Sequence, residues 1–168
     1  ALQAGCHKVT LCSGDKDFAQ LVSEQLSVYD GMKERVFDRG GVKEKFGVWP
    51  EQIVDYLTLV GDSVDNVPGV EKVGPKTAVK WLDTHYTLDQ LIQQKHTLKG
   101  KIAERFEAAI PMLATYKRLV TIQCDLDLPV SIASFLHKQA NRKRLQEVYA
   151  EHGFKTWLKE IMQRDDAA

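Results

Sequence analysis

Four aspartates stand in two tight pairs, Asp15 and Asp17 in "GDKD" and Asp62 and Asp65 in "GDSVDN". Each pair follows an element with clear hydrophobic periodicity, and the end of a strand is where open α/β sheets keep their ligand sites. If the four carboxylates converge, they raise one another's pKa severely unless a cation sits among them. A donor set made only of oxygen favours Mg2+ or Mn2+. Each pair also has a commonplace reading: Asp17 as a helix N-cap with Asp15 as a turn former, and the second pair as a polar turn after Gly61.

The stretch that follows, "NVPGVEKVGPKTAVKWL", resembles a helix-hairpin-helix, the phosphate-binding turn of many DNA-handling proteins. Its physics is readable without the name. Gly69 and Gly74 let the backbone approach a ligand closely, and Pro75 suits a first helical position that leaves nearby amides free to face an anion. Lys76 and Lys80 fall one helical turn apart on one side, while Ala78, Trp81 and Leu82 can pack inward. The plainer alternative is a tight helix-helix connection with no ligand.

These residues need elements to hold them. "KVTLCS" (8–13) reads as a short strand ended by Gly14, and "KDFAQLVS" after it has helical spacing. "LSVYDG" and "ERVFD" read as two further strands. "GGVKEKFGVWPEQIVDYLTLVG" predicts a helix ending at Gly47 and a second opening near Pro50, with Ile53, Val54, Leu57 and Val60 as its buried stripe. "TLDQLIQQ" and "LKGKIAERFEAAIPMLATYKRL" are helical patterns, the latter interrupted or kinked at Pro111. "VTIQCDLDL" is a strand candidate, and "NRKRLQEVYAEHGFKTWLKEIMQ" reads as two helices divided at Gly153. Strands alternating with helices give an α/β class with a partly parallel sheet.

At 168 residues, 43% hydrophobic and 27% charged, the chain predicts one globular domain. The 23 basic and 23 acidic residues cancel, yet unevenly along the chain. From Asp15 to Asn66 eleven acids face six bases, whereas from Gly69 to Arg105 seven bases face four acids, as an acidic site beside a basic surface requires. Cys6, Cys12 and Cys124 are too few and too scattered for a disulfide framework or a zinc site, so a reducing cytoplasm is expected. No apolar run approaches the ~18 residues of a membrane span. His7, His85, His96, His137 and His152 lack metal-ligand spacing, Asp125 and Asp127 suit an exposed edge, and Trp49, Trp81 and Trp157 suit core or half-buried anchors.

Together "SGDKDFAQLV", "KFGVWPEQIVDYLTLVGDSVDNVPGVEKVGPKTAVKWL" and "YAEHGFKTWLKE" resemble the 5'-nuclease domain of bacterial DNA polymerase I, kin to flap endonucleases. The resemblance runs in order over nearly the whole chain. It implies the carboxyl-terminal part of a PIN-like 5'-nuclease fold over 1–168, with a helix-three-turn-helix over 50–82. It also implies that Asp15, Asp17, Asp62 and Asp65 serve a second metal ion, Mg2+ or Mn2+, in hydrolysis of duplex or 5'-flap DNA. The turn is then expected to grip the duplex through Val67, Gly69, Val70, Lys72, Val73, Gly74, Lys76, Thr77 and Lys80, with K+ on main-chain carbonyls. An early aspartate, further acids and a basic arch belong to the family pattern upstream of Ala1. The expectation is therefore a carboxyl-terminal half that partners the amino-terminal half and a downstream polymerase module, and that cleaves little by itself. The rival expectation is a non-catalytic duplex-DNA-binding module whose aspartates merely cap and solubilise.

Overall fold

The computed structural model describes residues 2, 5–135 and 139–163. The chain divides into two units, one running through residue 127 and the other from 128. His137 and the polar end beyond Gln163 lie outside the described residues.

In the first unit, β1 (Val9–Cys12), β2 (Leu26–Asp30) and β3 (Arg35–Phe37) form a sheet in that order. β1 pairs with β2 in parallel, Val9 opposite Leu26, and β2 pairs with β3 antiparallel, Val28 opposite Phe37. The partly parallel sheet expected from the alternation is present. A parallel pair needs a crossover, and here it is a 3-10 turn over Lys16–Leu21 rather than the expected α-helix. The turn is too short to develop a full helical face, and only Ala19 in it is buried.

Helix α1 (Arg39–Phe46) is capped by Asp38, whose carboxylate accepts from the Gly41 amide at 2.7 Å. It ends at Gly47 in the left-handed conformation, where a β-carbon would press on Val79 at 2.8 Å. A 3-10 turn opened by Pro50 leads into α2 (Ile53–Val60), the centre of the unit. Of the expected stripe Ile53 and Leu57 are buried while Val54 and Val60 are half-buried, and Asp55, Tyr56, Thr58 and Leu59 are buried as well. Neighbours on several sides cause this, because α2 packs against both α3 (Pro75–His85) and α5 (Lys101–Val120). Buried Asp55 reaches beyond its own helix, accepting from the Leu88 amide at 2.8 Å and pairing with Lys117 at 2.9 Å.

Gln52 ties the start of α2 to the end of α3, donating to the Leu82 and Tyr86 carbonyls at 3.1 and 3.0 Å. Thr87 caps the short α4 (Leu88–Gln93). Helix α5 buries Phe106, Leu113 and Val120, one residue every two turns. Pro111 does not interrupt it. The proline lies on the exposed side, where the missing amide bond is least costly. Trp81 of α3 meets Phe106 edge-on at 5.3 Å, so this tryptophan is the core anchor expected of it.

The strand expected over "VTIQCDLDL" is absent. Among the described residues no strand lies beside this segment, and the Ile122 amide instead donates to the Gln20 side chain at 2.9 Å. In the second unit, α6 (Arg142–Glu151) and α7 (Lys155–Gln163) are divided at Gly153 as expected, with Tyr149, Phe154 and Trp157 clustered. Trp157 remains half exposed, as does Trp49, over which Arg39 and Lys43 stack. No helix among the described residues is long and apolar enough to cross a membrane.

Candidate metal centre

The first aspartate pair sits where β1 ends. Asp15 is the N-cap of the 3-10 turn, its carboxylate accepting from the Asp17 amide at 3.0 Å. The commonplace reading therefore has the right idea and the wrong residue, since Asp15 caps and Asp17 is left to project. The second pair follows α2. Asp62 and Val67 exchange two backbone hydrogen bonds of 2.8 Å, closing a tight loop whose exposed tip carries Asp65. Asn66 completes the reversal at φ 56°, a conformation asparagine tolerates.

These two loops bring oxygen atoms of Asp17, Asp62 and Asp65 within 4.8 Å of one another. Asp15 stands outside that trio. Burial, then the Asp15 carboxylate, raises the Asp17 carboxyl above its ordinary value; Asp62 and Asp65 add to this, and Lys16 opposes it. Asp17 Oδ1 is buried with no hydrogen-bond partner among the described residues. Such an orphaned oxygen in a repulsive cluster is what a divalent cation satisfies, so the residues fit the ion that the sequence implies.

Asp62 has a different environment. Its side chain is only 2% exposed, Lys16 Nζ lies 2.5 Å from Oδ2, and the Val64 amide donates to Oδ1 at 3.0 Å. The lysine hydrogen bond, acting against burial, holds this carboxyl below the usual range. Sequence reasoning passed over Lys16, although a lysine between two aspartates is a visible signal. It also passed over Gln20, whose amide donates to the Val120 carbonyl at 2.9 Å while accepting from Ile122. That fork fastens the turn bearing Asp17 to the end of α5.

The glycine-rich turn is built onto the same loop. Gly61 has φ 80°, and a β-carbon there would meet the Val67 carbonyl at 2.5 Å; one on Gly69, at φ 66°, would collide with the Gly61 amide. The two glycines thus let the chain cross itself. The Val70 amide donates to Leu59 at 2.8 Å, stitching the turn to the last turn of α2. Val67, Val70 and Val73 are buried, so what they offer a ligand is main chain. Gly74 caps α3 with open space where a β-carbon would be, and Pro75 takes the first helical position. Lys72, Lys76 and Lys80 are exposed and form no ion pair among the described residues, and Thr77 is half buried.

The family model for the 5'-3' exonuclease C-terminal SAM fold matches residues 48–143. DNA polymerase I of Caldicellulosiruptor bescii is 36% identical over 159 residues, covering 91% of this chain and 19% of that protein. A 5'-3' exonuclease of Aquifex aeolicus is 38% identical over 159 residues, covering 92% of this chain and 52% of the relative. The chain thus spans about half, or much less, of these relatives' lengths. Among solved structures, the flap endonuclease of bacteriophage T5, in a pseudo-enzyme-product complex with DNA and metal ions, superposes with a TM-score of 0.64. That match is 25% identical and covers 68% of this chain and 43% of the other.

Proposed function

The chain belongs to the 5'-3' exonuclease family with the C-terminal SAM fold, and from that premise we propose that it supplies one metal's carboxylates and the duplex grip of a structure-selective 5' nuclease. The reaction is hydrolysis of DNA phosphodiester bonds at 5' ends or flaps, and the substrate is duplex or 5'-flap DNA. The observation that carries this reading is the orphaned Asp17 oxygen beside Asp62 and Asp65, on a loop knotted to a glycine-rich turn.

Asp17, Asp62 and Asp65 are the residues that hold the divalent ion, proposed as Mg2+ with Mn2+ as its substitute. Asp15 orients Asp17 through its cap and adds negative charge nearby. A divalent ion in such a site neutralises phosphate charge and lowers the pKa of bound water. The chain's own residues do the rest. Gly74 and Pro75 present the start of α3 to a phosphate, Lys72, Lys76 and Lys80 add charge along the same run, and K+ is proposed on main-chain carbonyls of the segment from Val67 to Thr77. Three carboxylates make one ion's ligand set. Full activity is accordingly proposed to need a second metal's ligands from an amino-terminal half, with a polymerase module as a further partner.

A non-catalytic duplex-binding module shares the grip but not the ion. Asp62→Ala with Asp65→Ala separates the two, read by Mn2+ titration. The nuclease reading expects the affinity to collapse, and the module reading expects no change.

A further inference from the structure

An open cavity of about 530 Å³ lies between the end of α3, the connection after α4 and the start of α5. Trp81, Leu98 and Ile102 contribute apolar surface, Lys80 and Lys99 stand in its wall, and His85 lines it, held through Nδ1 by Gln94 at 3.0 Å. Among the described residues no acidic side chain lines it. We infer that this cavity is a second phosphate-binding subsite, seating a backbone phosphate of the duplex that the glycine-rich turn holds. The inference rests on the duplex-binding reading above.

Three independent features converge here. Lys80 and Lys99 form no ion pair among the described residues, whereas nearby Lys95 is paired with Glu107 and Arg105 lies 3.7 Å from Glu71. Cations kept apart from acids retain their charge for an outside anion. Next, α5 is 20 residues long, and Ile102 of its first turn lines the cavity, so the positive end of a long helix lies at the site. Finally, α3 runs from the turn into the cavity, whose wall it enters at Lys80, five residues past Pro75, and leaves at His85. At ~1.5 Å per residue the cavity lies roughly 8 to 15 Å from the turn. Duplex DNA advances about 3.4 Å per base pair on each strand, so the two sites grip phosphates about two to four base pairs apart. A duplex long enough to reach both sites binds through two clamps, which fixes its axis rather than one point on it.

The test is duplex affinity by fluorescence anisotropy over a range of salt, with a blunt duplex of about 20 base pairs, using the chain itself and Lys99→Ala, Lys99→Arg and Lys76→Ala. The expected result is that Lys99→Ala weakens binding by about three- to tenfold and reduces the salt slope by ~0.9, with an unchanged melting temperature and recovery in Lys99→Arg. If Lys99→Ala binds like the parent while Lys76→Ala weakens, the cavity is no subsite and the turn reading stands. If neither substitution changes affinity or slope, the duplex-binding reading fails and takes the subsite with it.

Discussion

Lys16 Nζ lies 2.5 Å from Asp62 Oδ2, so the most buried carboxylate of the cluster is already paired to a cation of the chain itself. The ammonium stands on the same loop as Asp17 and compensates the charge that a divalent ion compensates when bound. Lys16→Met therefore has two opposed effects. It leaves Asp62 buried with the Val64 and Asp65 amides as its remaining partners, lowering metal-free stability by about 1–2 kcal/mol, a loss tempered because Lys16 is partly solvated. It also removes a competitor for the carboxylate, so Mn2+ affinity rises. Thermal melts in chelator and Mn2+ calorimetry read the two effects separately.

Asp17 makes the reverse trade. Its carboxyl is raised in the folded chain by burial first and by Asp15 next. A raised acid contributes stability below its unfolded value, 3.8, and that contribution is lost as pH rises through the folded value. At neutral pH the metal-free chain thus carries a penalty, lessened by the solvent that reaches part of the side chain. Asp17→Asn is expected to raise metal-free stability by up to about 1 kcal/mol at pH 7, with the gain shrinking towards pH 4, and to abolish Mn2+ binding. Denaturant melts at both pH values check this, and a loss of stability in Asp17→Asn at pH 7 contradicts it.

The glycines of the turn divide into two kinds. A β-carbon on Gly69 collides with the Gly61 backbone, whereas one on Gly74 meets nothing within 4 Å. Gly69→Ala is expected to cost roughly 2–3 kcal/mol and to weaken both Mn2+ and duplex binding, because the knot joins the Asp62 loop to the turn. Gly74→Ala is expected to change stability by only a few tenths of a kcal/mol while weakening duplex binding, since the proposed grip brings a phosphate into its open space. Melting curves beside anisotropy titrations check both expectations.

Lys72, Lys76 and Lys80 are exposed and unpaired among the described residues. Each replacement by alanine is expected to lower the slope of log affinity against log salt by ~0.9 per lost phosphate contact, without changing thermal stability. A variant with reduced affinity but an unaltered slope places its lysine off the backbone path.

Much of this was legible in the sequence because local signals agreed with the fold. Gly47, Pro50 and Gly153 mark element ends in the chain and in the structure alike. The carboxylate cluster was legible as two pairs, but not as a trio of converging carboxylates beside an Asp15 cap. Which of Asp15 and Asp17 turns back on the amide depends on the 3-10 geometry of a crossover too short to be a helix. "VTIQCDLDL" reads as a strand by alternation, yet alternation cannot show whether an edge is there to receive it. The Ile122 amide in this segment turns to Gln20, a contact across 102 residues that no local pattern contains. Lys16 stood in view between two aspartates, but its pairing was not legible, because its partner, Asp62, belongs to a different loop.

The most direct test of the account is anomalous diffraction from crystals of this chain soaked in Mn2+. The account predicts one strong peak among Asp17, Asp62 and Asp65, with Lys16 displaced from Asp62, and no such peak in Asp62→Asn. A cluster without manganese at saturating ion, with Lys16 still on Asp62, would contradict the metal centre and leave only the duplex grip.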